Sequence, residues 1–168
     1  GDQKIQFFTP YDELAAKSRR RASWFMDDEH VFSKHAIFMN ELVLADGIAG
    51  IGSHGQLQGL GYHWELWSVA SGGMSNLNAL RVATILGAQA LGLDGDLGSL
   101  AVGKLADINI LNENPLENIR NSNTLQYVMK NGRLYNADNL DEIWPRNKKG
   151  INYNDPATQP KNLPGIAK

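Results

Sequence analysis

His54 follows a short apolar run, Ile48-Ala49-Gly50-Ile51-Gly52-Ser53, and precedes Gly55. An imidazole titrates near neutrality, so it can take a proton or bind a divalent metal through a ring nitrogen. At the end of a buried strand it would face a cleft, where enzymes of layered α/β type keep their chemistry. His54 is therefore the candidate catalytic residue and the candidate metal ligand. His63 and Glu65 lie two positions apart and would share one face of an extended chain. They are candidates to shape a pocket, binding substrate or steadying a ligand; packing with Trp64 and Trp67 is the plainer alternative. Ser53 and Gln56 complete the candidate substrate contacts, with loop-stabilising hydrogen bonds as their ordinary role.

Other residues of reactive type read as structural. Asp107 opens an alternating run after Gly103-Lys104-Leu105-Ala106, so a turn or strand-start role suits it, and Lys104 serves the same turn. His35 falls on an apolar helix face, as a core or interface residue does. Glycines 50, 52, 55 and 59 lack the spacing and the following helix of a dinucleotide fingerprint. The chain has no cysteine, which excludes disulfides, thiolate metal sites and a thiol nucleophile.

The elements that must position these groups follow from periodicity. Lys4-Ile5-Gln6-Phe7-Phe8 alternates like a strand and Pro10 stops it. Tyr11 to Phe25 is a weakly periodic helix candidate, with Arg19-Arg20-Arg21 as a solvated end. Asp27 or Asp28 can cap the next helix, which places Val31, His35, Phe38, Leu42 and Ala45 on one face, and Gly47 ends it. Ile48 to Gly52 then reads as a strand buried on both faces. Residues 53–73, rich in glycine and aromatics, read as a long functional loop. Ser75 or Asn76 caps a helix with Leu77, Leu80, Thr84 and Ala88 on one face, closed by Gly92. From Leu97 the period shortens: strands at Asp107–Leu111, Leu125–Lys130 and Arg133–Tyr135, with Asn131-Gly132 as a tight hairpin turn. Beyond Asn139 the chain reads as an irregular tail.

Composition narrows the class. A length of 168 residues suits one ordinary domain or two small ones. Hydrophobic content of 42% and charged content of 20% are a globular balance. A net charge of -2 gives no footprint for nucleic acid. No apolar run approaches the ~18 residues of a membrane span, and no secretory leader pattern is visible. The expected partner is a small-molecule substrate, with neither nucleic acid nor membrane.

Several separated motifs carry a resemblance. Met74-Ser75-Asn76-Leu77-Asn78-Ala79-Leu80-Arg81-Val82-Ala83-Thr84 leads to Ala90-Leu91-Gly92-Leu93. Then come Leu97-Gly98-Ser99-Leu100, Gly103-Lys104-Leu105-Ala106-Asp107, Asn114-Pro115-Leu116 and Val128-Met129-Lys130-Asn131-Gly132-Arg133. Over roughly residues 48–136 this order resembles the C-terminal third of metal-dependent amidohydrolase-superfamily enzymes. Gly52-Ser53-His54-Gly55-Gln56 and Gly59-Leu60-Gly61-Tyr62-His63-Trp64-Glu65 are similar to the imidazolonepropionase/prolidase-like branch, often joined to a TolB-like propeller; no propeller sequence is present.

The resemblance implies an α/β chain that is the C-terminal fragment of a (β/α)8 TIM barrel plus part of a small composite β-sandwich. The expected division is a partial barrel over 1–96, the sandwich return over 97–140 and the tail over 141–168. It implies hydrolysis of a C–N bond in a small amide or cyclic amide, not a classical peptide bond. The cofactor would be a divalent metal, zinc foremost, in the complete enzyme; that this stretch alone holds none stays open. Where the family has aspartate after Gly-Thr or Gly-Ser, this chain has His54. The family's His-x-His pair, bridging lysine and later histidines have no counterpart before residue 48, and His30 and His35 do not match them. The fragment is thus expected to be inactive alone and to self-associate or pair with a missing N-terminal half. Two other readings remain: a non-catalytic α/β interaction module derived from such an enzyme, and a small domain with its own site at His54, His63 and Glu65.

Overall fold

The computed structural model describes residues 3–10, 13–14, 26, 29–54, 57 and 59–151, apart from the side chains of Gln3 and Gln6. Among the described residues, five delimited helices precede a four-stranded sheet. They are α1 (Gln3–Phe8), α2 (Phe32–Leu44), α3 (Leu60–Ala70), α4 (Asn76–Arg81) and α5 (Gly87–Ala90). A π-helical turn, Val82–Leu86, joins α4 to α5 as one continuous rod. The strands are β1 (Ile108–Leu111), β2 (Leu125–Lys130), β3 (Arg133–Asn136) and β4 (Glu142–Trp144), with a 3-10 helix at Ile119–Asn123 between β1 and β2.

The first segment is helical where alternation predicts a strand. A lone strand leaves its N–H and C=O groups without a ladder, whereas a helix pairs them internally. Here the Thr9 N–H bonds to the Ile5 carbonyl at 2.9 Å. Lys4 then reaches the sheet, donating to the Leu125 carbonyl at 3.1 Å and pairing with Asp138 at 2.8 Å. The expected helix at Tyr11–Phe25, its arginine cluster and the capping aspartates 27 and 28 lie outside the described residues, apart from Glu13 and Leu14, which are helical.

α2 forms as expected but buries a different face. Ala36 and Val43 point into the core, with Met39 and Leu42 packed beside them, whereas Val31, His35 and Phe38 are exposed. The helix is apolar nearly all round, so periodicity alone does not select the stripe. Small Ala36 wins because α2 and α3 meet closely there: a Cβ on Gly72 would lie 2.1 Å from the Ala36 carbonyl carbon. The left-handed residue after α2 is Asp46 (φ 60°), not Gly47. Gly47 is needed for space, since a Cβ there would stand 2.7 Å from the Leu42 carbonyl oxygen.

Residues 48–52 form no strand among the described residues. A buried strand needs flanking strands, and the described residues place none beside it. Ala49 is buried, and Gly50 abuts Gly87, whose Cα lies 3.3 Å from where a Gly50 Cβ would stand. The expected long loop at 53–73 is in large part α3. Its glycines sit at the helix ends and at one close contact: Gly59 is the N-cap with φ 78°, and Gly61 is buried beside Ser53.

Ser75 caps α4, its Oγ accepting from the Asn78 N–H at 3.2 Å, and Gly92 ends the rod with φ 69°. The buried face is Ala79, Val82, Leu86 and Ala88, while Leu77 is exposed. Ala79, Val82 and Leu86 join Val43, Ala49, Leu66, Val69 and Met74 in one core. Leu66 and Val82 are the largest fully enclosed side chains, each contributing about 1.5–3 kcal/mol through burial.

The sheet is an antiparallel meander in the order β1-β2-β3-β4. Asn131 (φ 48°) and Gly132 (φ 75°) make the β2–β3 turn as predicted, with Lys130 opposite Arg133. The tail is ordered further than expected. β4 pairs with β3, and Glu142 bridges to Lys148. Helical layer and sheet meet at the 3-10 helix, whose Ile119 packs against the core.

Candidate functional site

His54 lies in a turn just after the 48–52 segment, exposed and left-handed (φ 51°). A non-glycine residue held there presents its side chain outward at a cost of roughly 1–2 kcal/mol. Ser53 is half-buried and touches the first turn of α3. Gln56 lies outside the described residues. Among the described residues no group of three or more His, Asp or Glu side chains could hold a metal ion. One imidazole does not make a divalent site, which takes about three or four donors, so the described residues do not fit a resident metal by themselves.

His63 and Glu65 are not brought together. On a helix two residues are 200° apart, so the shared face of an extended chain becomes two opposite faces. Glu65 lines a cleft of about 450 Å³ between α2 and α3, with His35, Phe32, Phe38, Met39 and Val69. That cleft is mostly apolar with one carboxylate and one imidazole on its wall.

His63 turns the other way, toward the sheet. Its Nδ1 lies 3.1 Å from Ser122 Oγ. The Trp67 indole N–H donates to the same Oγ at 3.0 Å and to the Ile119 carbonyl at 3.2 Å. The Arg120 guanidinium stacks 4.7 Å from the Trp67 ring centre. Burial holds the His63 pKa below its usual 6.5. Beside it Tyr62 donates to the Ala83 carbonyl at 2.7 Å, and burial raises that phenol's pKa. Trp67, Ser122 and Arg120 carry no recognisable motif. Only the four-residue step from His63 to Trp67 marks them in sequence, as neighbours on one helix face.

Lys104 and Asp107 serve turns, as their positions predict. Lys104 Nζ donates to the Asp94 carbonyl and, at 3.2 Å, to that of Leu97. Asp107 accepts from Lys130 Nζ and from the Asn131 N–H at 2.6 Å. Both contacts hold its carboxyl below the usual value, Lys130 more than Asn131. His35 is exposed on the cleft wall rather than buried in the core.

A profile of the amidohydrolase family matches residues 26–135. Among solved structures, a Xaa-Pro dipeptidase with methionine in its active site is 27% identical, with a TM-score of 0.53 over 60% of this chain and 25% of that one. A protein from Bifidobacterium longum described as a prolidase is 30% identical, with a TM-score of 0.51 over 67% of this chain and 26% of that one. A further amidohydrolase, 24% identical with a TM-score of 0.54 over 76% of this chain and 32% of that one, shares the fold. No curated protein matches the chain significantly. The chain spans about a quarter of the length of the first two structures.

Proposed function

The chain belongs to the amidohydrolase family, and from that premise we propose that it is the C-terminal portion of a metal-dependent hydrolase acting on C–N bonds. Its helices would be the last part of a (β/α)8 barrel, and its sheet part of a composite β-sandwich. The observation that carries this reading is the family match across 26–135, which runs through both the helical layer and the sheet.

The substrate class is a small amide or cyclic amide. Likeness to a Xaa-Pro dipeptidase and a described prolidase supports it. The amide nitrogen of an X–Pro bond sits in a ring and bears no hydrogen, unlike an ordinary peptide link. His54 would be the group this chain brings to the reacting centre, as a base or a donor. Ser53 and Gln56 stand next to it in sequence and would contact substrate, and Glu65 would face the cleft. The hydrogen bond between Ser122 and His63 supports a joining role for His63 over contact with substrate.

Members of the family are generally metal-dependent. The described residues offer too few donors, so the other donors would come from outside them. Phe32, Phe38 and Leu44, each more than half exposed, form apolar surface on α2. Such surface suits burial against a preceding portion of the same protein or a second copy.

The reading is tested by assaying Xaa-Pro dipeptides and small amides, with zinc added, on this chain and on a longer polypeptide that carries it as its C-terminal part. The chain alone should show no turnover. The longer protein should, and His54→Ala should lower its kcat by about 10²–10⁴-fold. Turnover by the short chain would overturn the fragment reading, and an unaffected His54→Ala enzyme would remove His54 from the site. A longer protein with no hydrolytic activity would favour a non-catalytic interaction module, a reading that the isolation of His54 supports.

A further inference from the structure

We infer that His63, Trp67 and Ser122 form a proton-sensitive clasp between α3 and the 3-10 helix that leads into the sheet, closed when His63 is neutral and loosened when it is protonated. The hydrogen bonding sets the direction. An indole nitrogen only donates, so Ser122 Oγ accepts from Trp67. Ser122 Oγ makes no further hydrogen bond among the described residues, so His63 Nδ1, 3.1 Å away, is the one acceptor its hydrogen can reach. The clasp is therefore assigned the neutral tautomer with the proton on Nε2. The clasp joins residues 59 positions apart, and Ser122 is only 6% exposed.

A proton on Nδ1 turns that acceptor into a donor. Ser122 Oγ would then face two donors, and its own hydrogen would lose its partner in a buried place. An unpaired buried polar group is costly. The new positive charge would also stand near Arg120, which already lies over the Trp67 ring. On α3 itself the neighbouring Tyr62 ring is 6.2 Å away and uncharged near neutrality. α2 packs on the far side of α3, along Glu65, Ser68 and Val69, where His35 lines the cleft, and its Lys34 and Glu41 are exposed. β1 contributes Ile108, Asn109, Ile110 and Leu111, none titratable. From α4, Arg81 is exposed and bonded to Asn78 at 3.3 Å. No carboxylate among the described residues forms an ion pair with His63.

The sign follows from burial, which holds folded His63 below 6.5. Above 6.5 neither state carries the proton and the clasp is closed. As pH falls below 6.5 the unfolded chain takes the proton first, so stability drops until the folded value is reached.

The test is an NMR titration of the 168-residue chain from about pH 8 to about pH 5, following the His63 ring and the Trp67 indole N–H. The expected result is a His63 midpoint below 6.5, with the indole signal moving at the same midpoint. A flat indole signal through that titration, or a midpoint at or above 6.5, overturns the clasp. His63→Gln keeps a polar side chain without the proton. It should flatten the indole response and shrink the fall in Tm between about pH 7.5 and 5.5. An equal fall in parent and variant also overturns it.

Discussion

Gly72 lies flat against the backbone of Ala36: a Cβ on Gly72 would stand 2.1 Å from the Ala36 carbonyl carbon and 2.2 Å from its oxygen. The obstacle is main chain, so no rotamer change relieves it. The turn that ends α3 is seated on α2 at this point.

Gly72→Ala should therefore destabilise the chain by about 1–3 kcal/mol or more, by prising the two helices apart. Gly52→Ala is the control, because nothing lies within 4 Å of its added methyl. It should be neutral or stabilise by up to about 1 kcal/mol. Urea unfolding of both variants decides this; equal midpoints would mean that this contact yields easily.

Asp107 should govern the β2–β3 hairpin from outside it. Its carboxylate holds the Asn131 N–H at 2.6 Å, inside the turn. Asp107→Ala should cost about 1–2 kcal/mol, largely through that charge-assisted bond. Lys130→Ala should cost less than 1 kcal/mol, since Lys130 is 68% exposed. Amide exchange at residues 130–133 should quicken in Asp107→Ala alone.

Acid should open the sheet at its β4 edge. Arg146 forks onto buried Glu142 at 2.8 and 2.6 Å, and Lys149 with the Gly150 N–H holds Asp141 at 2.7 and 2.8 Å. These partners hold both carboxyls below their usual 4.5 and 3.8. Their contribution is complete above those values and is lost as pH falls through the lowered ones. The strand signal in circular dichroism should fade below about pH 4, and Arg146→Ala should move that midpoint upward. An unmoved midpoint would show that the Arg146 fork does not hold the edge.

His54→Gly should leave stability unchanged or raise it by up to about 1 kcal/mol, because the side chain is exposed and relief of the left-handed φ of 51° offsets glycine's extra chain entropy. A marked loss of Tm would show that the imidazole supports the fold, and would weaken its assignment to chemistry.

What was legible in the sequence was local. Ser75, three residues before the N–H it caps, and Asn131-Gly132, a turn of two residues, declare themselves within a few positions. The strand registers around that turn follow directly. What depended on distant partners was not legible. Ile48 to Gly52 has strand composition, yet no neighbouring strand among the described residues pairs with it. Gly72 and Gly73 lie in a turn as their composition suggests, but Gly59 and Gly61, read as loop residues, serve a helix cap and a close contact inside a helix. His63 and Glu65 were paired on the assumption of an extended chain, and a helix sends them apart. Nothing local singles out Ser122, because its partners lie 55 and 59 positions earlier.

The meander has a kinetic consequence. Every strand pairs with its neighbour in chain order, and the central hairpin closes over two residues. Such hairpins form in about 1–10 μs. Trp67 and His63, by contrast, must find the 3-10 helix across 52 to 59 residues of intervening chain. Closing that larger loop carries a greater entropic cost. The central hairpin is therefore expected to form before the seam between the layers closes, an order that pulse-labelled amide exchange would read.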